Sequence, residues 1–167
     1  MKPKEKVICC QNIEIGGQIA FGQGCVIHPD CSILANSGPI MFSEFNIIEE
    51  RVKILNDKPD TSVKIGNYNI FEVGSQVENS QVGSYNIFEH RSKVGSGCKV
   101  GSGCVITAGT HLPPGTVVPD YTVVFSSEHF RPNLSMNEES FRQNVRALAE
   151  VLAKCLPKYN KLQSVQR

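Results

Sequence analysis

A hydrophobic residue recurs at every sixth position along most of the chain, and we call these positions rungs. There are nineteen rungs, and three changes of length interrupt their spacing. A six-residue period is neither the 3.6-residue period of a helix nor the alternation of a single strand. It is typical of a parallel β-helix, in which each group of six residues forms one side of a triangular coil. The rungs are Cys9, Ile15, Phe21, Ile27, Ile33, Phe42, Ile48, Ile54, Ile65, Phe71, Val77, Val82, Phe88, Val94, Val100, Ile106, Leu112, Val118 and Val124.

The interruptions leave the period intact on either side of them. Three residues are inserted around positions 37–39, five are inserted within 56–62, and one is missing before Val82. Nineteen rungs at three per coil give a little over six coils. Four residues after each rung, a second position is also predicted to face inward, and it holds Cys25, Cys31, Val52, Ser75, Ser92, Cys98, Cys104, Thr110 and Thr116. Glycine often follows a rung, where its dihedral freedom is expected to serve a tight corner: Gly16, Gly22, Gly66, Gly83, Gly95 and Gly101.

The period becomes helical after the last rung. Apolar residues recur at helical spacing at Phe141, Val145, Leu148, Leu152 and Cys155/Leu156. The run from Ser135 to Glu138 resembles a capping box, and Pro157 predicts the end of the helix. We therefore predict an all-β solenoid at 7–125, a connector at 126–134 and an amphipathic helix at 135–157 on one side of the prism. A frayed polar tail is expected at 158–167.

Composition and charge exclude several kinds of partner. The net charge is +1, from 17 basic and 16 acidic residues, so there is no general electrostatic attraction to nucleic acid or an anionic membrane. No apolar run approaches the length of a membrane span, and the N-terminus lacks the apolar core of a secretory signal. The seven cysteines are odd in number, and four of them are small inward residues, which favours a reducing, intracellular compartment.

One enzyme class that uses this scaffold, the γ-type carbonic anhydrase, binds zinc through three histidines. Aligned on the rungs of this chain, the three ligand positions fall at Leu55, Asn67 and Glu72. A catalytic zinc needs three protein ligands and an open fourth position, and this set cannot supply them. The four histidines are His28, His90, His111 and His129, and no two are five residues apart. We therefore predict no metal, no cofactor and no anhydrase activity.

A second class, the hexapeptide acyltransferases, uses a histidine as general base toward a hydroxyl or an amine. His90, which lies between Glu89 and Arg91, is the strongest candidate for that role. The alternative is a surface residue at a corner of the coil, and no acyl-carrier or coenzyme A motif accompanies His90. A homotrimeric hexapeptide enzyme, anhydrase-like or acyltransferase, remains the alternative function.

One phrase is repeated three times in the same frame: Asn46-Ile47-Ile48-Glu49, Asn69-Ile70-Phe71-Glu72 and Asn86-Ile87-Phe88-Glu89. The asparagines are predicted to stack inside the prism and to hydrogen-bond from coil to coil. The glutamates each follow a rung in successive coils and form a column with His28 and Thr107. We expect that coil architecture does not require these glutamates.

Stacked like charges destabilise a sheet, and two arginines two residues further on are positioned to offset them. The column is either a solvated face or a partner-contact surface. The candidate contact residues are Glu49, Glu72, Glu89, Arg51 and Arg91.

Several runs together resemble the dynactin subunit 6 family: 25–29, 38–40, 46–50, 69–74, 83–86 and 156–159. The resemblance covers nearly the whole chain. It implies a left-handed β-helix without enzymatic activity, a non-catalytic subunit of the dynactin pointed-end complex. The implied partners are the β-helical subunit 5, an actin-related protein and subunit 4, and indirectly dynein, in cargo adaptation and microtubule-based transport. The implied location is the cytoplasm and cytoskeleton, with the kinetochore as a further site.

Overall fold

A computed structural model describes residues 5–164 as a triangular parallel β-helix followed by one α-helix. The sequence predictions for 1–4 and 165–167 lie outside this range. The helix, α1, is Glu138–Tyr159. The strands within the described range are β1 Ile8–Cys9, β2 Glu14–Phe21, β3 Val26–Ile27, β4 Ser32–Phe42, β5 Ile47–Ile48, β6 Lys53–Asn56, β7 Val63–Ile65, β8 Ile70–Phe71, β9 Gln76–Glu78, β10 Gln81–Val82, β11 Ile87–Phe88, β12 Lys93–Val94, β13 Lys99–Val100, β14 Val105–Ile106, β15 His111–Leu112, β16 Val117–Val118, β17 Thr122–Val124 and β18 Phe130–Pro132.

The strands form three flat faces, and every coil contributes one side to each. Face A stacks β1, β3, β5, β8, β11, β14 and β17 in parallel. Face B stacks the first halves of β2 and β4 with β6, β9, β12 and β15, and face C stacks their second halves with β7, β10, β13 and β16. β2 and β4 are continuous around the corner between faces B and C, and for this reason they are the longest strands.

Each of the nineteen rungs pairs with a rung of a neighbouring coil, in the register predicted from the sequence. On face A, for example, Ile48 pairs with Phe71 and Phe88 pairs with Ile106. Every rung is buried except Ile15 and Phe21, which lie in the first coil and have no coil beneath them. The three changes of length all occur between a face B rung and a face C rung. The prism therefore absorbs them at a single corner and keeps its register elsewhere.

The glycines that follow rungs are needed for a different reason from the one predicted. None of the six has a positive φ. Instead, the backbone of all but Gly16 lies against the next coil: a Cβ at Gly66 would be 2.5 Å from the Gly83 carbonyl oxygen, and one at Gly83 would be 2.6 Å from that of Gly101. The prediction that these glycines supply unusual dihedrals is wrong, because close approach between coils is what excludes a side chain there.

The stacked asparagines are confirmed as a buried ladder. The Asn69 side chain donates to Asn46 Oδ1 at 2.9 Å and to the Gly83 carbonyl at 3.0 Å. Its own oxygen accepts from the backbone N–H of Asn86 at 3.1 Å. Each amide thus bonds backbone groups of the coil that follows it, and Asn69 also bonds the amide of Asn46 in the coil before.

The ends of α1 differ from those predicted. The N-cap is Asn137, whose side chain accepts from the Ser140 N–H at 2.9 Å, so the predicted capping box at Ser135 is wrong. Pro157 lies inside the helix and does not end it. A proline in the last turn removes only one late hydrogen bond, and burial of Leu156 against the prism holds the turn in place. No helix in 5–164 is long and apolar enough to cross a membrane.

Both segments predicted to be irregular supply strand pairing at an end of the prism. The predicted connector contains β18, which pairs antiparallel with β17 and covers the last strand of face A. The predicted frayed tail pairs through Leu162 with Cys10, next to the first strand of face A, and Gln163 donates to the Cys9 carbonyl at 2.8 Å. The prediction of fraying is therefore wrong for 161–163, because the tail reaches an exposed strand edge whose backbone groups can form hydrogen bonds with it.

Candidate partner-contact surface

The column of glutamates runs along the edge between faces A and B, and each carboxylate binds the coil that follows it. Glu49 Oε2 accepts from the Val73 N–H at 3.1 Å, Glu72 Oε2 from His90 N–H at 3.1 Å and Glu89 Oε2 from Ala108 N–H at 2.9 Å. The inference that coil architecture does not require these side chains is wrong. They act as caps for corner N–H groups of the following coil.

The two arginines lie at the same edge but do not pair with the glutamates. Arg51 and Arg91 are exposed and adopt the left-handed backbone conformation, with φ of 60° and 57°. Neither side chain forms an ion pair with a carboxylate anywhere in 5–164. Any offset of the column's charge by these arginines therefore acts without a direct ion pair. Their guanidinium groups remain available to solvent or to a partner.

Two histidines contact carboxylates at this edge. His90 Nδ1 pairs with Glu72 at an exposed corner, and His28 Nδ1 lies 3.0 Å from Glu50 Oε1. The His28 ring is almost completely buried, and its Nε2 has no hydrogen-bond partner among residues 5–164. The buried ring pairs with Glu50, beside the column. The next carboxylate of the column itself, Glu72, pairs with the exposed ring of His90.

The environment of Glu49 changes its acidity. Burial raises the pKa of its carboxyl above the usual range, the Val73 N–H opposes this, and the nearby charge of Glu72 raises it further. The folded chain therefore holds this proton more tightly than the unfolded chain does. The contribution of Glu49 to the free energy of unfolding is largest below the unfolded pKa of about 4.3. It is lost as the pH rises through the raised folded pKa.

We expect Glu49→Gln to remove this pH dependence while preserving the cap, because an amide oxygen still accepts from Val73 N–H. From pH 4 upward, the variant should become progressively more stable relative to the wild type. Glu49→Ala should be less stable than Glu49→Gln by about 1 kcal/mol at every pH, since it leaves a backbone N–H without an acceptor. Urea unfolding at several pH values measures both effects. Equal stability of the two variants would show that the hydrogen bond contributes nothing.

The positions aligned with a zinc site carry other interactions. Asn67 Oδ1 accepts from the Glu44 N–H at 2.9 Å, and Glu72 binds His90. Leu55 lies on a face B strand. The two remaining histidines are elsewhere: His111 is exposed on face B, and His129 bonds to Ser126 just after the last coil of the prism. Within 5–164 no three histidine, cysteine or acidic side chains are grouped so as to hold a metal ion.

Solved structures of similar shape define the class of protein. A hexapeptide transferase family protein from Anaplasma phagocytophilum superposes with a TM-score of 0.70 at 16% identity, covering 93% of each chain. The acetyltransferase domain of PglB from Neisseria gonorrhoeae gives 0.55 at 16% identity over 77% of this chain and 58% of that one. At these identities the likeness concerns the fold alone. The chain is a hexapeptide-repeat protein, a left-handed parallel β-helix with one C-terminal helix.

Curated relatives narrow the class to a family. Dynactin subunit 6 of Caenorhabditis elegans is 32% identical over 163 residues, 93% of this chain and 84% of that protein. Dynactin subunit 6 of Nematostella vectensis is 36% identical over 98 residues, 53% of each chain, so that match spans about half of the relative. The Xenopus tropicalis protein of that name is 33% identical over 107 residues. No family model matches the chain. The chain belongs to the dynactin subunit 6 family.

Proposed function

We propose that the chain is a non-catalytic structural subunit of dynactin, located in the pointed-end complex. There it pairs with the β-helical subunit 5, beside an actin-related protein and subunit 4. Through that complex it supports dynein–dynactin cargo adaptation and microtubule-based transport in the cytoplasm, at the cytoskeleton and at the kinetochore. The observation that supports this proposal most strongly is the match to the Caenorhabditis elegans relative over 93% of the chain.

The physical character of the prism suits an assembly subunit. Its interior is filled by rungs and by the asparagine ladder, so it is a rigid body with flat sides. A rigid surface loses little conformational entropy when a partner binds to it. The near-neutral net charge of +1 favours contact with another protein over a polyanion.

Purification of the tagged chain from its own cells tests the proposal. We expect mass spectrometry of the bound fraction to find an actin-related protein together with dynactin subunits 4 and 5. Their amounts should be close to equal to that of the tagged chain. Recovery of the chain without these proteins, at low salt and from a freshly lysed sample, would contradict the proposed role.

We propose that the partner contact includes the glutamate column and the two arginines at its edge. Arg51→Glu with Arg91→Glu should lower recovery of the partner proteins about tenfold, because two unpaired cations are lost from the contact. Glu49→Gln, Glu72→Gln and Glu89→Gln together should have a similar effect, while leaving an acceptor for each capped N–H. Quantitative mass spectrometry of the tagged complex measures recovery.

A charge-matched control separates this contact from a general effect of charge. Lys64 and Lys99 are exposed on face C, away from the glutamate column. Their double replacement by glutamate changes the net charge by the same amount as the arginine variant. It should leave recovery unchanged. Full recovery with the arginine and glutamine variants would mean that the column only caps the coils.

One observation favours a second candidate function, a hexapeptide acyltransferase. His90 pairs with Glu72, and a histidine oriented by a carboxylate is an arrangement that general bases use. An acyltransferase must also bind its acyl donor, so acetyl coenzyme A should then release heat on titration into the chain. The structural role predicts no heat of binding. A saturable signal that His90→Ala abolishes would establish the enzymatic alternative.

A further inference from the structure

The helix α1 leaves part of its apolar surface uncovered. Its buried residues, Val145 and Ala149, pack on face A. Four other residues form what we call the outer stripe: Leu148, Val151, Cys155 and Tyr159. Leu148, Val151 and Tyr159 are 40%, 55% and 85% exposed, and Cys155 is exposed as well. At about 100° per residue, these positions lie within roughly 80° of arc, so they form one continuous strip along the helix.

The direction of the outer stripe follows from the contacts on the opposite flank of α1. Arg146 lies over the Phe45 ring, 5.1 Å from its centroid, and pairs with Glu5. That flank therefore meets the corner between faces C and A. The outer stripe is on the other side of the buried residues and is turned toward the edge between faces A and B. Glu49 and Glu50 lie along that edge, half-exposed.

A row of cations borders the outer stripe on its solvent side. Lys154 and Lys158 are one helical turn apart and exposed, and Lys161 follows in the tail. None of the three pairs with a carboxylate in the described part of the chain. Unpaired lysines beside an apolar strip complement a partner that carries carboxylates beside its own apolar residues.

We propose that the outer stripe binds an amphipathic helix of a partner protein. The helix lies alongside α1, with apolar residues on Leu148 and Val151 and carboxylates toward Lys154 and Lys158. A helix fits this surface better than a strand does, because α1 has no free backbone groups along its side with which a strand could pair. This proposal rests on the proposed role as an assembly subunit, because it assigns one contact that such a subunit makes.

Cys155 provides a direct probe of this surface. It is the exposed cysteine among the residues described, and the others are buried. The free chain and the chain purified with its bound proteins are treated with N-ethylmaleimide, and mass spectrometry measures the modification rate of Cys155. We expect at least about a tenfold slower rate in the assembly, recovered when high salt dissociates it. Equal rates in both samples would overturn the proposal.

A photo-crosslinker attached to Cys155 then identifies the segment that lies on the stripe. The proposal expects a partner segment with apolar residues at helical spacing and at least two acidic residues. Cross-links to a β-strand or a loop, or to a second copy of this chain, would overturn it. If the chain co-purifies with its partners but Cys155 reacts as fast as in the free chain, only this inference is contradicted. If the chain co-purifies with none of the partners, the proposed function is contradicted.

Matched variants test which side chains bind. Leu148→Asp with Val151→Asp should reduce recovery of the cross-linked partner at least about fivefold. Gln143→Asp with Ala147→Asp places the same two charges on the outward face of α1, where both residues are exposed, and should leave recovery unchanged. Lys154→Glu with Lys158→Glu should reduce recovery relative to the face C control, Lys64→Glu with Lys99→Glu. Circular dichroism melting curves establish that each variant is folded, and equal recovery for stripe and control variants would overturn the proposal.

Discussion

Replacement of Asn69 by leucine is expected to lower the free energy of unfolding by about 4 kcal/mol. The substitution conserves size but removes an amide that is fully buried. Three groups lose a hydrogen bond to the Asn69 side chain: Asn46 Oδ1, the Gly83 carbonyl and the backbone N–H of Asn86. Because these groups are buried, water cannot replace the lost amide without opening the stack.

Asn67, two residues earlier, is the matched control for Asn69. Its side chain accepts one hydrogen bond, from the Glu44 N–H, at a partly exposed corner. Asn67→Leu should therefore cost about 1 kcal/mol or less, since water can satisfy the freed donor. Equilibrium urea unfolding of both variants measures the difference. Similar losses for the two would show that the buried ladder has no special weight in the stability of the prism.

Phe71→Ala is the second substitution with a large expected effect, a loss of about 4 kcal/mol. Phe71 is a fully buried rung on face A, and its ring stacks on Phe88 with centroids 4.7 Å apart. Coils lie above and below it, so the cavity cannot collapse by a movement of one end of the chain. The loss should therefore include both the transfer free energy of the ring and the cost of the cavity.

The first coil offers the same substitution in a different environment. Phe21 stacks on Phe42 at 4.8 Å, but it is only partly buried because no coil covers its other face. Phe21→Ala should cost about 2 kcal/mol, roughly half of the loss at Phe71. Thermal unfolding, monitored by circular dichroism, shows which of the two substitutions costs more stability. A loss at Phe21 that equals or exceeds the loss at Phe71 would contradict the view that stacked coils on both sides hold the rungs.

The sequence was sufficient to predict the prism because each rung carries its own signal. A coil that shifted by one residue would turn an aliphatic rung such as Ile54 or Val94 toward solvent. The hydrophobic residues on both sides of each length change therefore determine the register, and they place all nineteen rungs correctly. The asparagine ladder was predictable for the same reason, since it repeats in frame with the rungs.

The function of the glutamate side chains could not be predicted from spacing. Each carboxylate binds an N–H in the next coil, eighteen to twenty-four residues further along the chain. A charged residue at a predicted corner has the same appearance in the sequence whether it is solvated or acts as a cap. One signal could have revealed the cap: all three copies of the repeated phrase end in glutamate, at Glu49, Glu72 and Glu89.

The pairing of the ends was also beyond the sequence pattern. β18 and the segment around Leu162 have neither alternation nor helical period, and they pair because they reach an open strand edge. The end of α1 depends likewise on tertiary contact, since Leu156 packs on the prism one residue before Pro157. Both cases depend on contacts between the folded prism and residues that are distant from it in sequence.

The most direct measurement of the proposed role is light scattering on the purified chain, alone and mixed with dynactin subunit 5. A chain that functions as one half of a pair of β-helices should have the mass of a monomer alone. It should form a one-to-one complex on mixing. A stable homotrimer that does not bind subunit 5, particularly one that contains zinc, would contradict the role of a non-catalytic assembly subunit.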